Sequence, residues 1–257
     1  MKNIDCVLPQ LNAKILTNNS EFASLGDSVG NSSNASIEND QSSTVLLVLG
    51  GRSPKIGWLK DVSLNCSEIW AADSGGEICV KAGLLPKCLI GDFDSIGDKE
   101  KEWLTSRGAE IIQYPVEKDL TDYQLCLKIA SQRGINNVYV TGGWGGRFDH
   151  AYSNLFSALF GMSFGVRVIC LADEIESLFY VYSGESIEIN FKEIPQAFSL
   201  IPLGSSSIVS IDGAKWNLSF SEITQKFPYA ISNEAENHSI IINAHEGAIG
   251  VYVNNSG

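Results

Sequence analysis

The sequence is short of positive charge: Lys and Arg total 18 against 30 Asp and Glu, a formal net charge of -12 at pH 7 over 257 residues. That balance repels phosphate backbones and anionic lipid, so no nucleic-acid partner and no membrane-surface partner is expected. Histidine is scarce, at three residues, and none of the six cysteines forms a CxxC pair, which leaves a structural zinc site without ligands. Cys6, Cys66, Cys79, Cys88, Cys126 and Cys170 lack the close spacing of a disulfide framework and read as reduced thiols, most of them small hydrophobes in apolar segments. Long apolar runs are missing too. The longest, Thr44 to Leu49, falls far short of the roughly 20 residues that cross a bilayer, and the segment from Met1 to Gln10 has one Lys and no signal-type apolar region. A cytoplasmic protein is the expectation.

What is present is enough to fold: 44% hydrophobic and 9% aromatic residues with 19% charged exclude wholesale disorder. Residues 1–43 are rich in Asn and Ser, with a low-complexity stretch from Ser28 to Ser43, and read as a flexible leader, although spaced aliphatics between Ile4 and Leu16 allow a short element. From Thr44 the pattern becomes regular. TVLLVLGG, EIWAAD, CLIGD, AEIIQY, NVYVTGG and VRVICLA read as buried strands, and helical patterns over Lys99 to Arg107, Thr121 to Gln132 and Asp149 to Phe160 alternate with them. Such alternation predicts an α/β domain over 44–175 with a mostly parallel sheet. Beyond it SIEINF, AFSLIPL, SIVSID, HSIIINA and AIGVYV are short alternating runs, which predict an all-β, antiparallel β-sandwich domain over 176–257. Two such domains meeting offer a place for a ligand cleft.

The chemistry concentrates at strand ends. GDFDSI, Gly91 to Ile96, puts Asp92 and Asp94 directly after an apolar strand, and in open α/β sheets ligands bind at the carboxyl ends of the strands. Two carboxylates so spaced can turn toward one hard cation such as Mg2+. Taken alone, the pair reads equally as a cap for a helix near Asp98 and a solvated acid. Asp73 closes EIWAAD and is followed by Ser74, Gly75 and Gly76, small residues that let a metal-bound phosphate approach the backbone. Asp119 and Asp122, in KDLTDYQLCL, sit before and within the first turn of a helix, where either also serves as an ordinary N-cap. Acids delivered to one edge from several strands point together to a shared divalent-metal site.

TGGWGGRFDH, Thr141 to His150, is a glycine-rich turn between a strand and a helix. Its backbone N–H groups and Arg147 suit a phosphate, although it matches neither the Walker A loop nor GxGxxG. Glycines used only for a tight turn would explain the spacing but not Arg147, Asp149 and His150 clustered beside it. His150 by itself reads as a satisfied helix residue rather than a general base. Trp216, in DGAKWNL, stands at a strand edge either as core or as a stacking surface for a flat heterocycle or a cation, and ISNE puts Ser232 and Asn233 at another strand end.

Taken in order, LVLGGR, AADSGG, LIGDFDSI, KDLTDYQLCL, TGGWGGRFDH with Asn154, DGAKWNL and ISNE resemble the thiamin pyrophosphokinase (thiamine diphosphokinase) family of bacterial type, over about residues 45–253. The resemblance implies transfer of the diphosphate of ATP to the hydroxyethyl group of thiamine, giving thiamine diphosphate and AMP by Mg-assisted in-line attack at the β-phosphorus. It implies Asp73, Asp92, Asp94 and Asp122 as Mg2+ ligands, and Asp92, Asp94, Asp122 and Arg147 as the catalytic set. It further implies ATP contacts from Asp119, Thr121, Gly143, Gly145, Gly146, Arg147, Asp149, His150 and Asn154, and thiamine contacts from Trp216, Ser232 and Asn233. The family habit is a homodimer whose thiamine site lies between the α/β domain of one subunit and the β domain of the other. Two other readings compete. A phosphatase with Asp92 as nucleophile would place its DxDx loop after the first strand of the sheet, not the third, and would have no use for TGGWGGRFDH. A thiamine- or nucleotide-binding module without turnover would have less need of four metal-directed carboxylates.

Overall fold

The computed structural model describes residues 2–17, 44–115, 119–194, 197–227 and 229–255. Strands β1 (Lys2–Val7) and β2 (Leu11–Thr17) form an antiparallel hairpin. The α/β part follows as β3 (Thr44–Val48), α1 (Ile56–Ser63), β4 (Glu68–Ala72), α2 (Gly75–Ala82), β5 (Cys88–Gly91), α3 (Asp98–Ser106), β6 (Glu110–Gln113), α4 (Asp122–Gln132), β7 (Asn137–Thr141), α5 (Phe148–Met162) and β8 (Arg167–Ala172). Then come β9 (Glu176–Val181), β10 (Glu185–Phe191), β11 (Ala197–Pro202), β12 (Ser206–Asp212), β13 (Leu218–Thr224), β14 (Ser239–Glu246) and β15 (Ile249–Asn254). The six strands and three helices expected between residues 44 and 175 are all present. Helices α1 and α2 were not expected from the sequence; each has eight residues, little more than two turns, and follows a Gly-rich or Pro-containing segment.

A nine-stranded sheet runs in the order β11-β15-β9-β8-β7-β3-β4-β5-β6, and the six strands from β8 to β6 are parallel. Its central strands are mostly apolar, as in β8, where all six residues are buried and only Arg167 is charged. Both faces of a parallel sheet are covered, so neither set of side chains is left for water. Val45, Leu47, Val138 and Val140 face α4 and α5, while Leu46, Val48, Ala71 and Leu89 join the larger core with α1, α2 and α3. The second sheet, β1-β2-β10-β14-β12-β13, is wholly antiparallel. Its strands alternate instead, and β10 buries Ile187, Ile189 and Phe191 but leaves Asn190 exposed. Those buried residues belong to the same core as Leu46 and Val48.

Two expectations change. The leader reading of residues 1–43 is corrected for residues 2–17, while 18–43 lie outside the described residues. The reason is the alternation in LNAKILT: Leu11, Ala13, Ile15 and Thr17 are buried, and β2 pairs with β10 from Ser186↔Leu16 to Phe191↔Leu11. Such alternating inward residues suffice for a strand once a partner edge exists, although a low-complexity stretch follows in the sequence. The border at 175/176 falls where β9 starts, yet the first sheet continues past it. β9, β15 and β11 add to β8 in antiparallel order, so the sandwich shares one of its two sheets with the α/β part. A buried bidentate pair, Arg167 with Glu185 at 2.6 and 2.7 Å, fastens β8 to the start of β10.

All six cysteines are free. Among the described residues no helix is long and apolar enough to cross a membrane. Replacing the fully buried Ile15 tests the hairpin: Ile15→Ala should cost about 2–5 kcal/mol in urea unfolding, whereas a dispensable leader would show no change.

Candidate active site

Strand order reverses its direction of growth at β3: the chain moves from β3 outward to β4, β5 and β6, then returns to lay β7 on the other side. The carboxyl ends of β3 and β7 therefore diverge, and a crevice opens between them. A cleft of about 580 Å³ lies there, lined by residues from the ends of β3, β4, β5 and β7 and from the start of α4.

The loops after β3 and β7 are zipped together. Leu49 N donates to Thr141 O at 2.8 Å, Gly51 N to Gly142 O at 2.7 Å and Arg52 N to Trp144 O at 2.6 Å. Two glycines are needed for this approach. A Cβ on Gly142, whose φ is +70°, would sit 2.1 Å from the Leu49 carbonyl oxygen, and one on Gly51 would sit 2.5 Å from that of Gly142. The turn then passes through Gly145 and Gly146, both with positive φ, into α5. Helix α5 has Arg147 at its N-cap with no bond from that side chain to the helix backbone, and the glycine turn and the first turn of α5 line the cleft. Asn154, further along α5, donates to Gly143 O at 2.9 Å and pins the turn from below. Arg147 is exposed and forks onto Asp149 at 3.1 and 2.5 Å, and this bond holds the Asp149 carboxyl below its ordinary value. His150 lines the cleft, exposed, with its backbone N–H bonded to Asp149.

The acids gather at the neighbouring strand ends. Asp73, Asp92 and Asp94 present ligand oxygens that all lie within 4.8 Å of one another. Asp73 and Phe93 both have left-handed backbones, at φ +47° and +67°, a conformation that costs on the order of 1–3 kcal/mol at a non-glycine residue. One Asp73 oxygen accepts from the Ser95 hydroxyl, and the other, Oδ1, is buried with no partner. Burial pushes the Asp73 carboxyl above its ordinary value, the Ser95 bond opposes this, and the charges of Asp122, Asp92 and Asp94 push it further up. An all-carboxylate oxygen set with one buried oxygen unsatisfied fits a hard divalent cation such as Mg2+.

Asp122 opens α4 and lines the cleft outside that trio, close enough for its charge to act on Asp73. The cap of α4 is neither Asp119 nor Asp122 but Thr121, in a reciprocal capping box: Thr121 Oγ1 accepts from Gln124 N at 3.2 Å and Gln124 Oε1 from Thr121 N at 3.1 Å. Thr121 takes the capping position, and Asp122, one residue on, lines the cleft. Asp119 is exposed and does not line it. Residues not singled out from the sequence also line it, notably Gly50, Gly51, Ser95, Tyr123 and Ser153. The glycine pair closing TVLLVLGG, matched by the pair closing NVYVTGG, was the available signal for the first two.

Trp216, Ser232 and Asn233 come together elsewhere. With Leu218, Tyr229, Ala230 and Ile231 they line a second cleft, of about 360 Å³, and Trp216 is 53% exposed in it. Asn233 is buried, accepts from Trp216 N at 3.2 Å and donates to Trp216 O at 2.8 Å, so its amide holds the Trp216 backbone. Ser232 has a left-handed backbone, φ +58°, and its N–H donates to Ser199 Oγ at 3.0 Å. The two clefts share no lining residue.

Residues 59–170 match the family model "Thiamin pyrophosphokinase, catalytic domain", and residues 186–249 match "Thiamin pyrophosphokinase, vitamin B1 binding domain". The chain is 31% identical to thiamine pyrophosphokinase 1 of Oryza sativa subsp. japonica, an alignment that covers 64% of this chain and 64% of that one. Against thiamine pyrophosphokinase of Bacillus subtilis it is 29% identical, over 74% of this chain and 89% of the relative. Among solved structures, a thiamin pyrophosphokinase family protein from Enterococcus faecalis superposes with a TM-score of 0.71 at 26% identity, covering 84% of this chain and all of that one.

The raised Asp73 value sets a sign. A carboxyl that binds its proton more tightly folded than unfolded makes stability fall as pH rises through the interval between the two values, and the penalty is complete above the folded one. Asp73→Asn should therefore raise the melting temperature at pH 7.5 without divalent ions. It should also abolish the rise that millimolar Mg2+ gives the unaltered chain, both read by thermal unfolding.

Proposed function

The chain belongs to the thiamin pyrophosphokinase family, and we propose that it transfers the diphosphate of ATP to the hydroxyethyl oxygen of thiamine, releasing AMP. The observation that carries this reading is the meeting, in one crevice, of Asp122 and of Asp73, the member of the carboxylate trio whose Oδ1 is unsatisfied, with a helix N-terminus behind a glycine turn. One half suits a cation and the other an anion, as a metal-bound triphosphate requires.

Asp73, Asp92 and Asp94, with Asp122 at the rim, are the residues that would hold Mg2+. Bound there, the ion would supply Lewis-acid neutralisation of the phosphate oxygens. The backbone of Gly145 and Gly146 and the first turn of α5 orient the phosphate chain, and Asn154 keeps that turn in place through Gly143. Arg147, exposed and tethered only to Asp149, can exchange this partner for the transferred group and neutralise charge in transit. A loose phosphoryl-type transition state asks for alignment and charge neutralisation more than for a strong base, so no covalent residue is needed.

Trp216 serves as the stacking surface for thiamine, and its exposed indole in an apolar cleft supports that role. Ser232 borders the same cleft, with Asn233 holding the Trp216 backbone. The separation of this cleft from the phosphate crevice supports assembly as a homodimer in which each subunit completes the other's site. So does α5, which exposes Phe148 at 82% and Tyr152 at 54% in one aromatic row with Phe156. Six free thiols suit the cytoplasm as compartment.

Incubation with thiamine, ATP and Mg2+ should yield AMP and thiamine diphosphate in equal amounts by chromatography. Asp92→Asn should lower turnover by about 10²-fold or more with the far-ultraviolet circular dichroism unchanged. Free phosphate without thiamine diphosphate would favour the phosphatase reading, and thiamine binding without product the binding-module reading. Light scattering should give twice the chain mass, falling to the single-chain mass in Tyr152→Glu.

A further inference from the structure

Behind the glycine turn, and outside the cleft lining, lies a charged cluster that the proposed chemistry does not use. Arg52, the residue whose backbone N–H bonds Trp144 O, sends its guanidinium away from the crevice. Nε and Nη2 donate to Asp173 Oδ2 at 2.8 and 2.6 Å, and Nη2 also donates to Glu176 Oε1 at 2.5 Å. Asp173 is 1% exposed at its side chain, and its second oxygen accepts from Ile175 N and Glu176 N at 2.8 and 2.9 Å. Glu176 Oε2 accepts from Tyr252 OH at 2.8 Å, and the Tyr252 ring meets Trp144 edge-on at 6.3 Å. Gln10, in the turn of the N-terminal hairpin, donates to Asp173 O at 2.9 Å and accepts from Trp58 Nε1 at 2.7 Å.

Every route out of this cluster ends on the glycine turn or on the rigid frame around it. The backbone of Arg52 is bonded to Trp144, a Cβ on Gly145 would sit 3.0 Å from the Arg52 Cβ, and the Tyr252 ring meets the Trp144 ring edge-on. Asp173 and Glu176 stand where β8 passes into β9, inside the nine-stranded sheet rather than at its edge. A planar fork engaged by two carboxylates fixes both position and orientation, which a lysine on a flexible stem does not.

We propose that Arg52 is a positioning residue for the nucleotide: clamped by Asp173 and Glu176, it sets where the turn from Gly142 to Arg147 presents its N–H groups to the triphosphate. This rests on the ATP-dependent reading of the crevice. Thiamine, by contrast, is assigned to the separate cleft around Trp216, so the Arg52 clamp acts on one substrate only.

The test separates positioning from general stability. In Arg52→Gln the affinity for MgATP, measured by calorimetry on the full chain, should fall by roughly 10–100-fold, the scale on which small misplacements act. KM for ATP should rise in parallel, KM for thiamine should stay within about twofold, and Arg52→Lys should fall between the two. Loss of the partner of a buried carboxylate also threatens folding, so the double variant Arg52→Gln/Asp173→Asn is included. The amide oxygen that this second change leaves at position 173 can keep both backbone bonds, the buried charge at 173 is gone while the less buried Glu176 keeps its bond from Tyr252 OH, and the melting temperature should recover in large part while MgATP affinity does not. Wild-type MgATP affinity in either variant overturns the inference, as does an equal rise in both KM values. A wild-type chain that binds MgATP yet makes no thiamine diphosphate overturns the diphosphate-transfer reading and leaves the Arg52 comparison standing. A chain with no MgATP affinity overturns both.

Discussion

Like charge held at close range is the constraint around which this fold is arranged. Three carboxylates have ligand oxygens inside 4.8 Å, two of them partly buried; burial, with the charges of Asp122, Asp92 and Asp94 added to it, raises the proton affinity of Asp73, whose Oδ1 has no partner. Neutralisation by protonation or by a cation is the physical remedy, and everything nearby keeps the acids from relaxing apart instead. The parallel strands β4 and β5 fix Asp73 beside Asp92, a left-handed Phe93 fixes Asp94, and the buried strands beneath allow neither to withdraw. The glycine turn with Arg147, in the same crevice as Asp73, is the half that suits an anion. Among the described residues Arg147 is paired with the exposed carboxylate of Asp149, and the two halves together suit a ligand that carries both signs.

The same edge explains why the sheet is shared. Had the parallel sheet ended at β8, the turn at residues 173–176 would be a surface loop. Because β9, β15 and β11 continue it, the turn is flanked by strands on both sides, and Asp173, though its neighbours 174–176 are partly exposed, is buried deeply enough to anchor Arg52. Rigidity at the catalytic edge is borrowed from strands whose residues come late in the chain.

How much of this was legible beforehand depends on whether the determinant was local. Largely apolar runs such as TVLLV and VRVICLA identify buried parallel strands because both faces must be covered, and acids or glycines at their ends mark the edge where the crevice lies. Local chemistry also misleads: Asp beside a helix start suggests a cap, yet Thr121 takes that place because Gln124 can return its bond, and a sequence offers both solutions at once. Asn233 shows another limit, since the residue type suits a ligand contact but its amide is spent on the Trp216 backbone. What could not be read was non-local. The residues of ESLFYV in β9 look no different from those of the sandwich, and only pairing decides that they extend the first sheet. The hairpin of residues 2–17 has a clean alternation, but its meaning depends on an edge at β10.

That pairing has a consequence for how the chain is made. β2 finds its partner only when Glu185–Phe191 has been synthesised, roughly 170 residues later, or about 10–35 s at ribosomal speeds. Until then Leu11, Ala13 and Ile15 have no sheet to cover and β2 offers an open edge to any neighbouring strand. The most sequence-distant pairing in the antiparallel sheet thus waits on most of the chain, which makes the nascent protein a natural client for chaperones that shield unpaired strands.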